Sequence, residues 1–347
     1  MDFEKLEKFL GERGVPAFRM KQIKTAIFKK AALTFDEVSV LPKNLRDELD
    51  ANFKILPFEV VKVFVSTEGN SCKALIKLSE GAFIETVIMS LKQGVWSACV
   101  SCQLGCAMKC AFCATGALGF KRNLSAHEIW GQVLFWNNYL RRNKIAERVA
   151  DVVYMGMGEP FNNFENVAES IKVLTGVETF NMSERSISVS TSGVAAMMGK
   201  FGEMFPQANL ALSLHSADPE KRKQLMPVTF AYDLNKIADG LKDYFAKCNR
   251  KVFIEYILLD GINDQMEDAE KLLNYLKRIG RRELLLVNLI VFNPVAHSKF
   301  QPSSKTQAIK FKEFLVAHKV HATIRKSLGQ DIDAACGQLA AQPTVAC

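Results

Sequence analysis

Cys106-Ala-Met-Lys-Cys110-Ala-Phe-Cys113 sets three thiols in eight residues, three residues apart and then two. Thiolates are the ligands of iron–sulfur clusters, and a cubane normally takes four of them. Three in one tight loop, with no evident fourth nearby, leave one iron without a protein ligand. An open metal position is where a substrate or cofactor binds. The competing reading is a structural zinc loop. Zinc sites usually combine two C-x2-4-C or histidine pairs, and no second pair stands at such a spacing. The stretch therefore points to a cluster with an open site, held by Cys106, Cys110 and Cys113.

The 347 residues allow one large α/β domain and a smaller companion. Hydrophobic residues make up 48% and charged residues 24%, the balance of a soluble globular protein. No apolar run reaches the ~18 residues of a membrane span, and the charged start Met-Asp-Phe-Glu-Lys lacks a signal-peptide core, so a cytoplasmic protein is expected. Five of nine cysteines fall between 99 and 113, which argues for metal or catalytic thiols over a disulfide scaffold. Cys72 and Cys248 read as packing residues and Cys347 as incidental. His127, His297, His318 and His321 read as ordinary packing or surface histidines. The net charge of +8 suits a polyanion such as RNA but is weak evidence alone.

Residues 1–55 read as a small helical domain. Phe3, Leu6 and Leu10 share one helical face, and Met20, Ile23 and Ile27 form a second apolar stripe. Arg19, Lys21, Lys24, Lys29 and Lys30 fill the faces left over, a grip for phosphates on an accessory RNA-binding unit. A third helix follows Pro42. Residues 56–94 change period: Val61, Val63 and Val65 alternate with polar or aromatic neighbours, Gly69-Asn70 makes a turn, and two more strands follow, an antiparallel β extension.

From residue 95 to 347, strands alternate with helices. Strand-like runs are 96–101, 152–155, 186–190, 210–214, 252–258 and 285–291, with a short one at 321–324. Ser125-Ala-His-Glu128 is a capping box opening the first long helix, and 233–248, 265–279 and 305–318 carry helical periodicity. The alternation predicts an α/β fold with a parallel sheet and right-handed crossovers. Six or so units make a partial (β/α)6 TIM-like barrel, whose binding residues belong after the strand C-termini. Gly156-Met-Gly-Glu-Pro160, Ser190-Thr-Ser-Gly193, Ser213-Leu-His215 and Phe292-Asn-Pro294 each follow a strand.

The cysteine loop, followed by Ala114-Thr115-Gly116, resembles the radical S-adenosylmethionine (SAM) superfamily. Its surroundings narrow the likeness. Cys99-Val-Ser-Cys-Gln-Leu-Gly-Cys106, Gly119-Phe-Lys-Arg-Asn-Leu124, Gly156-Met-Gly-Glu-Pro160, Ser213-Leu-His215 and Gly329-Gln-Asp-Ile-Asp-Ala-Ala-Cys-Gly-Gln-Leu339 together resemble the RlmN/Cfr family of RNA adenine methyltransferases, over nearly the whole chain. The resemblance implies a [4Fe–4S] cluster, one per subunit, whose open iron chelates SAM. It implies SAM contacts at Gly158, Glu159, Ser190, Ser213, Leu214, His215 and Asn293. It makes Cys336 the methyl carrier, Cys99 the resolving thiol and Glu85, inside Ile84-Glu-Thr-Val87, the proton acceptor. Two SAM are consumed per turnover, one to methylate Cys336 and one to yield the radical that activates the S-methyl group. A Cys99–Cys336 disulfide then forms and is reduced each cycle. The implied partners are 23S rRNA, with a tRNA as second candidate, a flavodoxin- or ferredoxin-like electron donor and a disulfide reductant; a monomer and no membrane contact are expected.

Pro160 resembles the C2-methylating branch, whereas Arg19–Phe28 and Ser213–Ser216 look closer to the Cfr-like C8 enzymes, whose product gives antibiotic resistance. C2 methylation of 23S rRNA is the leading expectation. A non-catalytic iron–sulfur RNA-binding protein is the alternative of another class, disfavoured because it needs neither Cys99, Cys336 nor Glu85. Cys102 stands where many members of the family carry serine and is expected to have no metal role.

Overall fold

The computed structural model describes residue 1, residues 3–296 and residues 298–340. His297 and Cys347 lie outside these. Helices α1 (Phe3–Glu12), α2 (Phe18–Lys24, continued by a π-helical turn Thr25–Lys29) and α3 (Lys43–Asn52) open the chain. They bury Leu6, Leu10, Met20, Ile23, Ile27 and Leu49, the stripes expected from the periodicity. This apolar side joins the core of the rest of the molecule, through contacts such as Phe28 with Trp130 and Phe180.

Strands β1 (Phe58–Val65), β2 (Ser71–Leu78) and β3 (Phe83–Lys92) form the antiparallel extension. A bulge between Val60 and Lys62 interrupts the expected alternation, so Val61 and Val65 are exposed while Val60 and Val63 pack inward. The extension continues the main sheet, because β3 pairs antiparallel with β4 (Val95–Cys99). Then come β5 (Gln103–Gly105), α4 (Ala114–Ala117), β6 (Phe120–Asn123) and α5 (Ala126–Arg142), the last opened by the Ser125–Glu128 capping box. β7 (Asp151–Tyr154), α6 (Phe164–Thr175), β8 (Ile187–Thr191), α7 (Met198–Met204), β9 (Asn209–Ser213) and α8 (Pro219–Leu225) follow. The chain continues with α9 (Leu234–Lys247), β10 (Val252–Leu258), α10 (Met266–Ile279), β11 (Leu285–Val291), α11 (Lys305–Ala317) and β12 (His321–Ile324).

The order across the ten-stranded sheet is β1-β2-β3-β4-β7-β8-β9-β10-β11-β12. From β4 onward every neighbour is parallel. This is the partial barrel of the sequence reading, an α/β fold with the six expected strands plus the short β12. Strand ends on one side of the sheet are thereby gathered into one rim.

Candidate active site

The cysteine loop springs from a two-stranded hairpin, β5 paired with β6. Gly105 closes it with φ of +74°, where a Cβ would collide with the Gly119 carbonyl. Only glycine meets both demands. The loop is tied to α8 by Ala111 N–H donating to Leu225 O at 2.9 Å.

Cys106, Cys110 and Cys113 all line a cavity enclosing some 850 Å³ of empty space out to its mouth. Gly158, Glu159, Ser190, Ser213, His215 and Cys336 line the same cavity. Among the described residues no three His, Cys, Asp or Glu side chains converge where a single metal ion could sit. Thiols standing around a cavity suit the separated corners of an iron–sulfur cluster better than one zinc ion. Burial pushes Cys106 up to about 12, with Met108 N–H pulling the other way, and pushes Cys110 upward too. Bound iron reverses this preference, because a coordinating thiol is deprotonated outright. Cys102 does not face the cavity; it is buried, with its backbone bonded to Met157 and Asn163.

The strand ends supply the opposite wall. Gly158 has φ of +105° and sits so close to Gln103 that a Cβ would overlap it. Glu159 is buried, and burial raises its carboxyl pKa above the ordinary value. It accepts hydrogen bonds from Ser192 N at 2.7 Å and Phe161 N at 3.1 Å, which aim the carboxylate. Ser190 and Ser213 hydroxyls lie 3.3 Å apart across β8 and β9. His215 is buried in the left-handed region, φ +57°. Burial first, then the nearby Arg222 charge, lower its pKa to about 3, so the ring is neutral at working pH. Ile257 N–H donates to its Nδ1 at 3.1 Å, which places the ring proton on Nε2.

Leu214 and Asn293, also expected to contact SAM, turn their side chains to other partners. Leu214 is packed in the core and offers the cavity no side chain, while its N–H donates to Glu255 O at 3.0 Å. Asn293 donates to Cys336 O at 3.1 Å and accepts from Gln330 Nε2 at 2.7 Å, holding the terminal segment.

That segment, residues 329–340, forms a strap across the rim. Thr67 N–H and hydroxyl donate to Asp331 at 2.7 and 2.9 Å. Ala114 N–H donates to Gly337 O at 2.8 Å, Thr115 hydroxyl to Leu339 O at 2.7 Å, and Gln338 Nε2 to Pro294 O at 3.0 Å. Cys336 is exposed, but its open area faces the cavities. Its thiol is held above the ordinary range by desolvation, with the Arg325 charge opposing. Cys99, at the end of β4, lines an adjoining cavity together with Cys336. Burial and then the neighbouring Cys336 push it up to about 12.

Glu85 opens on a third space, whose wall includes Cys110, Cys113 and the strap residues Asp333 and Ala340. Its carboxylate accepts Ala340 N–H at 2.8 Å and pairs with Lys73 at 3.0 Å, both side chains almost fully buried. Removing one partner of such a pair costs about 3–5 kcal/mol. The geometry thus brings cluster thiols, most SAM candidates, Cys99 and Cys336 around connected cavities and sets Glu85 on the strap's far side.

Sequence reasoning misses four supporting residues. Gln103 accepts Glu159 N–H at 2.9 Å, and Ser101 hydroxyl joins Glu85 O to Met157 N. Arg325 and Glu255, 3.5 Å apart, both line the central cavity. Position inside the Cys99–Cys106 motif is the signal for the first two; a lone Arg and Glu carry none.

Fold and site together define a radical SAM protein, and residues 100–276 match the Radical SAM superfamily model. The chain is 41% identical to the dual-specificity RNA methyltransferase RlmN of Campylobacter jejuni, over 98% of this chain and 96% of that one. It is 39% identical to the RlmN of a Sulfurovum species, over 96% and 94%. A crystal structure of a radical SAM methyltransferase from Sphaerobacter thermophilus superposes with a TM-score of 0.92 at 36% identity, covering 99% and 98% of the two chains. The chain belongs to the RlmN family of radical SAM methyltransferases, enzymes that use a [4Fe–4S] cluster and SAM. No helix among the described residues is long and apolar enough to cross a membrane.

Proposed function

We propose that this chain methylates C2 of an adenosine in 23S rRNA, with a tRNA as second substrate, through S-methylation of Cys336. The observation that carries the reading is the shared cavity wall of Cys99 and Cys336, adjoining the three cluster thiols. Adenine C2 is not nucleophilic, so a direct methyl transfer fails and a carrier is needed. Held by Cys106, Cys110 and Cys113 with SAM at Gly158, Glu159, Ser190, Ser213 and His215, the cofactors supply first a methyl group and then, after one-electron reduction, a carbon-centred hydrogen-atom acceptor.

The chain's own residues do the rest. Cys336 Sγ bonds the methyl carbon and releases its proton. After losing a hydrogen atom, the S-methylene carbon bonds to the ring carbon. The ring regains aromaticity by losing one electron, which the cluster when bound would accept, and its proton, which Glu85 takes. Cys99 then gives up its thiol proton, and its Sγ bonds Cys336 Sγ as the S–CH2 bond breaks. That electron pair stays on the methylene carbon, which takes a proton and becomes methyl. An external dithiol returns the disulfide to two thiols. The target base leaves its stack to reach the cavity, which a looped adenosine does at least cost.

The name dual-specificity on the relatives supports two RNA substrates, and Pro160 supports C2. The enzyme works as a cytoplasmic monomer fed by a flavodoxin- or ferredoxin-like donor. Nucleoside mass spectrometry of 23S rRNA and tRNA, incubated anaerobically with reconstituted enzyme, tests this. 2-Methyladenosine is the expected product; 8-methyladenosine would move the chain to the C8 branch.

A further inference from the structure

A buried charge beside the candidate base has no task in this mechanism. Lys73 lies on β2, 4% exposed, where lysine is rarely found unless paired. Its Nζ is 3.0 Å from Glu85 Oε1 and donates to the Asp333 carbonyl at 3.2 Å. A pair of apolar residues would fill such a space at no greater cost in stability. Here the ion pair lines a cavity instead of plugging it. Asp333 lies three residues before Cys336, so one ammonium group touches both the candidate base and the segment carrying the methyl.

The second carboxylate oxygen is the informative one. Glu85 Oε2 accepts the Ala340 N–H at 2.8 Å, so the end of the strap lies over the base. A substrate ring must displace that N–H to reach Oε2. The contact of Lys73 with Oε1 is made on the other oxygen from the Ala340 contact. We propose that Lys73 is a positioning residue for the proton-acceptor step, fixing Glu85 Oε1 and holding the Cys336 segment in register with it. The inference rests on the assignment of Glu85 as base. The transfer itself is unchanged: the ring carbon's proton moves to Glu85 Oε2, and the electron pair of that C–H bond stays on the ring.

The test is single turnover with anaerobically reconstituted full chain and 23S rRNA. Three quantities are read: methyl on Cys336 by peptide mass spectrometry, covalent protein–RNA species on a denaturing gel, and free methylated RNA. Lys73→Met should load methyl on Cys336 as the wild type does, yet release product at least ten-fold more slowly. The crosslinked species should then accumulate although Cys99 is intact. Lys73→Arg should recover much of the release rate. Where Lys73→Met does not fold, Lys73→Gln, which keeps a donor for Asp333 without the charge, is read the same way. Release at the wild-type rate, or equal slowing of loading and release, overturns the proposal. Glu85→Gln is run alongside. If Glu85→Gln stalls and the Lys73 variants do not, only this inference fails; if Glu85→Gln turns over normally, the base assignment fails with it.

Discussion

Two of the walls of the central cavity, the strand rim and the strap, are built on different principles. One side is the rim of parallel strand ends, with Glu159, Ser190, Ser213 and His215 set on or just beyond β7, β8 and β9. Its backbone is locked by the ladder and by a core of fully buried residues such as Val189, Leu212 and Tyr256. The other side is the strap at 329–340, joined to no ladder and tied by scattered hydrogen bonds to residues far apart in the chain, while Ala334 and Leu339 anchor it in the core. The contrast matches the chemistry proposed for each. A cofactor cradle has to stay fixed, whereas Cys336 has to meet a methyl donor, a nucleobase and Cys99 in turn.

The sharpest break between the two sides is a cluster ligand. Cys110→Ala should abolish bound iron and sulfide, about four of each in the intact chain, and all methylation, while Cys102→Ala retains the cluster. Metal analysis and the brown absorbance check this; zinc in place of iron in anaerobic protein would end the radical reading. Next come the two thiols of the exchange. Cys336→Ala should neither carry methyl nor crosslink RNA. Cys99→Ala should take the methyl, attack the base and accumulate a protein–RNA species resistant to reductant, because its link is a thioether. Free product from Cys99→Ala at the wild-type rate would remove that thiol from the cycle.

Loosening the strap alone is a gentler change. Asp331→Ala removes its exposed tether to the Thr67 N–H and hydroxyl. Cluster content and melting temperature should hold while turnover falls several-fold. An equal loss of cluster would show that the two sides are not independent. On the basic α2 helix, Lys24 pairs with Glu178 at 3.0 Å and Lys29 reaches Val177 O at 3.3 Å, leaving Lys21 exposed. Lys21→Ala should therefore flatten the salt dependence of RNA binding by about one slope unit, and Lys24→Ala by less. Equal effects, or none, would return that face to solvent.

The smallest effect is one of pH. Burial lowers the His127 pKa to about 4, against the pull of Ile55 O, and that of His215 to about 3. Both are neutral when folded, and the unfolded chain binds more protons below its ordinary value of 6.5. Stability is then fully present above about 6.5 and is lost as pH falls toward 4. Thermal melts between pH 7 and 5 should show the decline, and His127→Gln should flatten part of it.

Much of this was readable in the sequence because local rules coincided with global ones. The β/α alternation gave the partial barrel, and Ser125–Glu128 marked the start of α5 to the residue. The motifs after strands fell on one rim because parallel strands point their ends the same way. What the sequence did not show depends on contacts far apart in the chain. The π-helical turn at Thr25–Lys29 looks like ordinary helix in composition. Leu214 and Asn293 stand in the expected places but turn to the core and to the strap. Lys73 reads as an ordinary strand lysine until residues 85 and 333 are brought beside it.

The join between extension and barrel has a consequence for how this chain can vary. Val87 pairs with Cys99, so Glu85, Val87 and Cys99 face the same side of the sheet, and Thr86 on the other side bonds Cys99 O at 2.8 Å. Glu85, the proposed base, and the Cys99 thiol are thus spaced by two steps of one ladder, roughly 7 Å along the strands. A single-residue insertion between Thr86 and Val95 that shifted the pairing would turn one of them to the opposite face. Their separation is heritable as a register, a quantity that changes by whole residues or not at all. Gradual divergence in where the methyl lands is left to the strap, whose tethers can be altered one at a time.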